Sequence, residues 1–218
     1  MKIQLVEYRE ALDLQRRAVD ALRAGRGGEI VFLLSHPPTI TLGRKGRAQS
    51  VLVSPERLEA MGIVLVRVER GGDATYHGPG QLVAYPILDL GARRVAPPRH
   101  VGNLEEAMLG TMRRLGVEGA RVEGLRGVFI RGAGGRLLKA GAVGVAVAAG
   151  ISSHGLALNV EIDPKAFDLI VPCGLENVGV TSLHLHAPAP LSIDDAADIL
   201  AGELRRIYGG DLAIRTSF

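Results

Sequence analysis

The 218-residue chain has a single cysteine, Cys173, four lysines against 22 arginines, and no apolar run longer than Ala140 to Ile151. Each scarcity excludes something. One thiol cannot close an internal disulfide, so nothing asks for an oxidising compartment, and Cys173 is either packing or chemistry. A membrane-spanning helix needs about 20 apolar residues, so the chain is not expected to cross a bilayer. The opening residues meet charge at Glu7, Arg9 and Glu10. That leaves no apolar core for a secretory signal, and a cytoplasmic location is the expectation. The net charge is only +3, and the basic residues form no block. No nucleic-acid module accompanies them, so a solvated surface is expected rather than nucleic-acid binding, with weak attraction to an acidic protein partner left open.

What is present belongs to an ordinary globular protein, 47% hydrophobic and 22% charged. A chain of this size can bury roughly 70% of its unfolded surface, enough for one core without staples. The pattern predicts a strand at Ile3 to Val6 and a helix from Tyr8 to Ala24, with Leu12, Ala18, Val19 and Leu22 at helical spacing. Strands are expected at Glu29 to Leu34, Thr39 to Leu42, Ile63 to Val68 and Gln81 to Leu88, with a short helix capped by Ser54 and Pro55. A helix over Val101 to Leu115, a hairpin of Gly127 to Arg131 with Leu137 to Val147, and a strand at Leu156 to Val160 follow. A last helix runs from Ser192 to Tyr208. The sum is a single α+β domain covering residues 1–218, with helices at both ends.

The densest cluster of special residues is Arg70-Gly71-Gly72-Asp73-Ala74-Thr75-Tyr76-His77-Gly78-Pro79-Gly80-Gln81, expected to be a loop held between two strands. Its glycines permit close backbone approach, and Arg70, Tyr76 and His77 offer donors to a ligand. No Gly-Lys-Ser/Thr follows, so it is not a mononucleotide loop. Lys139 enters the uncharged run, where a lysine either snorkels to water or is held partly out of it. Cys173 stands in Val171-Pro172-Cys173-Gly174 after an apolar triplet, which reads as a strand exit. A thiol is mostly protonated at neutral pH, and a nearby ammonium would favour the thiolate. Lys139 is one candidate partner, while His77 or His154 could equally serve as base. Ser152 and Ser153 lack the glycines of a nucleophile elbow. His184 and His186 would share a strand face but have no third metal ligand in step, so no metal is expected.

Four blocks together resemble the lipoyl(octanoyl) transferases, which are octanoyl-[acyl carrier protein]–protein N-octanoyltransferases. They are His36 to Arg44 (HPPTITLGR), Arg70 to Pro86 (RGGDATYHGPGQLVAYP), Lys139 through His154 to Val160, and Pro172-Cys173-Gly174 with Val180 to Leu183. The resemblance implies the catalytic fold of biotin and lipoate protein ligases, a mixed sheet flanked by helices. It implies an octanoyl thioester on Cys173, with Lys139 favouring the thiolate and acting as general base. The implied substrate pocket is Arg70 to His77, then Ala142, Val143 and Gly144, then Gly155, Leu156 and Ala157. The implied donor is octanoyl-acyl carrier protein, and the implied acceptors are lipoyl domains of 2-oxoacid dehydrogenase E2 subunits and the glycine cleavage H protein, with no cofactor. Many such proteins carry an arginine soon after Gly144, where this chain has Val145-Ala146-Val147. Two rivals remain: an ATP-dependent lipoate or biotin ligase, and a non-catalytic acyl-binding module in which Cys173 merely packs.

Overall fold

The computed structural model describes residues 1–171 and 178–218. A large sheet and a small one make up its framework. The large sheet has seven strands, six of them in the order β10 (Ala213–Arg215), β1 (Ile30–Leu34), β5 (Gln81–Ile87), β8 (Ile151–Asn159), β7 (Leu137–Ala148), β6 (Val128–Arg131), with β9 (Gly179–Val180) also paired to β7. The small sheet runs β3 (Val64–Arg67), β2 (Thr39–Leu42), β4 (Ala74–His77). Most pairings are antiparallel, but β1 with β10, β2 with β3 and β7 with β9 are parallel.

Alternation along the central strands gives the large sheet two apolar faces. Val31 and Leu33 of β1, with Leu82 and Ala84 of β5, pack against α3 (Pro97–Arg114) and α4 (Ile193–Tyr208) through Leu104, Met108, Leu200 and Leu204. Phe32 and Leu34, with Val83, Tyr85 and Ile87, turn to the other face and meet α1 (Tyr8–Arg23) through Ala11, Leu14 and Ala18. A separate apolar cluster joins Ile40, Leu42, Ala74 and Tyr76 of the small sheet to Leu58 of α2 (Pro55–Ala60) and to Phe167.

The structure departs from the sequence reading at several elements. Ile3 to Val6 is not a strand; Leu5 makes one bridge to Ser35 and is itself exposed. The glycine-rich stretch contains β4, because Ala74 and Tyr76 face the small apolar cluster while Thr75 and His77 face the opposite way. The third helix begins at Pro97 rather than Val101, since a proline is tolerated in the first turn where its missing N–H has no partner to lose. Strand β8 begins at Ile151, joined to β7 across Ala149 and Gly150, both at positive φ as a tight hairpin requires. Leu169 ends a 3-10 helix, Pro164–Leu169, whose first turn is capped by Asp163, and beyond it Ile170 makes a single bridge with Val51. His184 lies in a 3-10 turn, Leu183–Leu185, and not on a strand with His186.

Candidate active site

A cavity of about 510 Å³ lies between the stretch leading into β4 and the β7–β8 hairpin. Arg70, Gly71, Gly72 and Asp73 line it from the loop, and Thr75 and His77 from β4. Lys139, Ala142, Val143 and Gly144 line it from β7, and Gly155, Leu156 and Ala157 from β8. The remaining sequence candidates on described residues, Ala74 and Tyr76, do not line it; strand alternation turns them into the apolar cluster. Cys173 lies outside the described residues. Further lining comes from Tyr8 at the start of α1, Val83 and Tyr85 of β5, and His154 of β8.

The two walls are joined by backbone. Gly71 N–H donates to the Val145 carbonyl at 2.9 Å. Gly72 holds φ +93°, which a side chain rarely adopts. Gly155 faces the Ala84 carbonyl so closely that a Cβ would collide with it. Arg70 is almost fully buried and its guanidinium is occupied within the protein: Nη2 donates to the Thr41 carbonyl at 2.9 Å and to Thr41 Oγ1 at 2.7 Å, and Nη1 to the Gly71 carbonyl at 3.0 Å. Arg70 therefore braces the loop, and its charge acts on the cavity from within the wall.

Lys139 is buried, with Nζ 5.6 Å from the centre of the Phe129 ring, so it does not snorkel away. Its strand position is fixed from both sides: Lys139 pairs with Phe129 on β6 and with Val180 on β9, and its carbonyl accepts from Thr181 N–H at 3.0 Å. On the other flank of the undescribed stretch, Val171 N–H donates to the Ser50 carbonyl at 2.9 Å. Ser50 Oγ in turn donates to Asp73 Oδ1 at 2.8 Å.

The histidines around the cavity are neutral at pH 7. Burial pushes His36 down to about 4, as it does His154, on which Arg70 also acts. Burial, then the charges of His36 and Arg70, holds His77 well below the usual histidine value. His36 Nδ1 meets the Val6 carbonyl at 2.7 Å, which can only accept, so the proton is on Nδ1. His36 Nε2 must then accept from Tyr85 O–H, at 2.7 Å. The Tyr8 ring lies 4.7 Å from that of His36 and 5.5 Å from that of His77. These neutral bases are poor partners for a thiol. Moving a proton from a thiol of ordinary pKa to His154 would be uphill by about 6 kcal/mol.

Ser152 is no nucleophile: its hydroxyl is fully buried, donates to the Pro86 carbonyl at 2.8 Å and accepts from Leu88 N–H at 3.1 Å. His186 Nε2 is paired with Thr181 Oγ1 at 2.7 Å and His184 Nδ1 with Ser182 Oγ at 3.0 Å, each engaged within its own turn.

A mixed sheet with helices on both faces and a cavity at its β7–β8 hairpin defines the class first. The family model described as the lipoyl protein ligase A/B catalytic domain matches residues 7–205. A solved bipartite lipoate protein ligase from Thermoplasma acidophilum superposes with a TM-score of 0.70 over 99% of this chain and 86% of its own, at 18% identity, a likeness of fold alone. At higher identity the relatives carry a narrower name. An octanoyltransferase from Roseiflexus sp. is 43% identical, covering 96% of this chain and 87% of its own. Another from Acidobacterium capsulatum is 44% identical over 94% of this chain and 87% of its own. The chain belongs to the octanoyltransferases, acyltransferases that move an octanoyl group in the attachment of lipoate. The ligase rival is related by fold only, and the non-catalytic module is set aside.

Proposed function

We propose that residues 1–218 form one catalytic domain that transfers the octanoyl group in two steps through a thioester on Cys173. In the first, the Cys173 thiolate attacks the thioester carbonyl of octanoyl-acyl carrier protein, the C–S bond to the carrier breaks, and the departing sulfur takes the electron pair and the proton of the Lys139 ammonium. In the second, a lysine amine of a lipoyl domain attacks the octanoyl-enzyme, the C–N bond forms, the C–S bond breaks and the sulfur takes the electron pair. Covalent catalysis suits an acyl group exchanged between two bulky protein carriers, because each docks in turn at one site. The acceptors are the lipoyl domains of 2-oxoacid dehydrogenase E2 subunits and the glycine cleavage H protein, and the reaction runs in the cytoplasm without a cofactor.

The observation that carries this reading is the placement of Lys139. It is a buried lysine in the cavity wall whose backbone is paired with Val180, a few residues beyond Cys173. As a cation it favours the thiolate; left neutral once its proton has gone to the departing carrier sulfur, it takes the surplus proton of the attacking amine. The cavity histidines, neutral and weakly basic, leave that task to the lysine. The stretches Arg70 to His77, Ala142 to Gly144 and Gly155 to Ala157 form the acyl-binding wall in this reading, with Ala74 and Tyr76 supporting it from behind.

Mass spectrometry after mixing with octanoyl-acyl carrier protein tests it. One octanoyl mass is expected on the unaltered protein and none on Cys173→Ala; an equal adduct on the alanine variant would sink the assignment. Lys139→Ala is expected to fold and to acquire the adduct at least about tenfold more slowly at pH 7, with the deficit narrowing as pH rises toward the thiol's own ionisation. Identical pH profiles for Cys173 alkylation in both proteins would remove Lys139 from that role.

A further inference from the structure

The hydrogen bonds behind His77 admit one arrangement of protons. At the far end the Thr181 carbonyl can only accept, so Asn159 Nδ2 donates to it at 2.9 Å and Asn159 Oδ1 is an acceptor. Gln81 Nε2 donates to that Oδ1 at 2.9 Å and to the Tyr76 carbonyl at 3.2 Å, which fixes its amide as well. Gln81 Oε1 is therefore the atom facing His77 Nδ1, at 2.7 Å, and the imidazole proton sits on Nδ1. A neutral ring has one such proton, so Nε2 presents a bare lone pair. That Nε2 is buried, with no hydrogen-bond partner among the described residues, in a side chain that lines the cavity. Two carbonyls of the main chain thus dictate, through two amides, the tautomer of a cavity histidine. Nothing in the folding of β4 requires this, since an unmet buried acceptor costs about 1–3 kcal/mol.

We propose that Gln81 and Asn159 are positioning residues that hold His77 as a hydrogen-bond acceptor for the N–H of the lysine amine that receives the octanoyl group. This rests on the thioester reading above. The attacking amine must be neutral, with its lone pair aimed at the acyl carbon and its N–H bonds pointing elsewhere. An acceptor with little proton affinity grips an N–H without removing it. In the step itself the amine nitrogen bonds to the acyl carbon, the C–S pair returns to the Cys173 sulfur, and the surplus proton passes to the neutral Lys139, so no further reactant is needed.

The groups around His77 make its charge state readable. Tyr8 comes from α1, His36 from the segment after β1, Arg70 from the loop before β4 and His154 from β8, while Asp73 and Lys139 share the same cavity. A carboxylate at position 81 would still accept from Nδ1 but would favour the doubly protonated ring, in which Nε2 donates.

Three measurements test the assignment. Nitrogen-15 histidine spectra of the unaltered protein, with His77→Gln to identify the signals, are expected to show the Nδ1–H tautomer for His77. In Gln81→Glu, His77 is expected to titrate at higher pH, and aminolysis of the octanoyl-enzyme by an isolated lipoyl domain to disappear as pH falls through that new value. In Gln81→Leu, aminolysis is expected to fall about tenfold at every pH, well beyond any slowing of octanoyl loading. An Nε2–H tautomer in the unaltered protein would overturn the proposal even if neither variant folds. So would an unchanged pH profile in a folded Gln81→Glu, or a larger loss in loading than in aminolysis, which would assign the lone pair to the carrier's pantetheine arm. Failure of the unaltered protein to form the adduct would strike the thioester reading and leave the tautomer measurement standing on its own.

Discussion

The two walls of the cavity are built from opposite materials. The β4 wall is made of side chains whose protons are assigned by hydrogen bonds: Arg70 on Thr41, His77 on Gln81, Ser50 on Asp73. The β7–β8 wall is mostly small side chains and main chain, with Ala142, Gly144, Gly155 and Ala157 opposite the loop. One wall acts through charge and hydrogen bonding, the other by leaving room. Substitutions in the first should therefore show themselves in pH dependence, and in the second, Lys139 and His154 apart, as steric failure that no pH repairs.

The largest expected effect falls on the small-residue wall. Gly155→Val places a Cβ against the Ala84 carbonyl of the neighbouring strand, and backbone on that side cannot yield without breaking the β5–β8 pairing. A loss of about 3 kcal/mol or more is expected in urea unfolding, at any pH. A variant as stable as the parent would show that the hairpin can slide, and the contrast between a steric and a chemical wall would fail.

Next comes acid. His36, His100 and His154 are each lowered from 6.5 to about 4 by burial. Their folded values lie below the unfolded one, so the unfolded chain binds more protons between pH 6.5 and 4. The associated stability is complete above pH 6.5 and drains away as pH falls toward 4, by up to about 3 kcal/mol for each histidine. His100 does not line the cavity; it is hydrogen-bonded to the Tyr208 hydroxyl at 2.8 Å between α3 and α4. His100→Gln is therefore expected to flatten part of the acid loss while octanoyl transfer keeps its pH profile. A shift in that profile would mean the core histidine and the cavity histidines are not separable.

These differences explain what could be read from sequence. The β7–β8 wall was legible only through the resemblance of the block from Lys139 to Val160, while Lys139 stood out by itself as one of four lysines, placed at the head of an uncharged run. Strand β4 was hidden because glycines and a proline on either side obscure the alternation of Ala74 and Tyr76 with Thr75 and His77. Tyr8 and Tyr85 gave no signal: one merely begins a helix and the other lies in β5, a strand buried on both faces, where no polar alternation marks the side toward the cavity. Gln81 and Asn159 sit at opposite ends of their own strands and become partners only through the register that pairs them. The triplet Leu169-Ile170-Val171 reads as a strand because a short apolar run has no period of its own; Asp163 and Pro164 decide for a helical turn before it.

The smallest expected effect lies where the polar wall meets the chain leading to Cys173. Ser50 does two things at once: its hydroxyl donates to Asp73 Oδ1, and its carbonyl accepts from Val171 N–H. Ser50→Ala removes the first and leaves the second, so the main-chain tether persists while Asp73 keeps its bond from Ala74 N–H at 2.8 Å. A net hydrogen bond to a charged group is worth about 1.5–3 kcal/mol, but Asp73 is only half-buried and water can replace the lost donor, so about 1 kcal/mol or less is expected in thermal unfolding. Octanoyl loading should change by no more than about threefold, because the loop keeps Arg70 on Thr41 and Gly71 on Val145. A loading defect of a hundredfold with an unchanged melting temperature would show that the Asp73 carboxylate, and not the main chain, sets the approach to Cys173. The polar wall would then reach the thiol through Ser50, and the division between a wall that holds protons and a wall that makes room would have to include the chain between them.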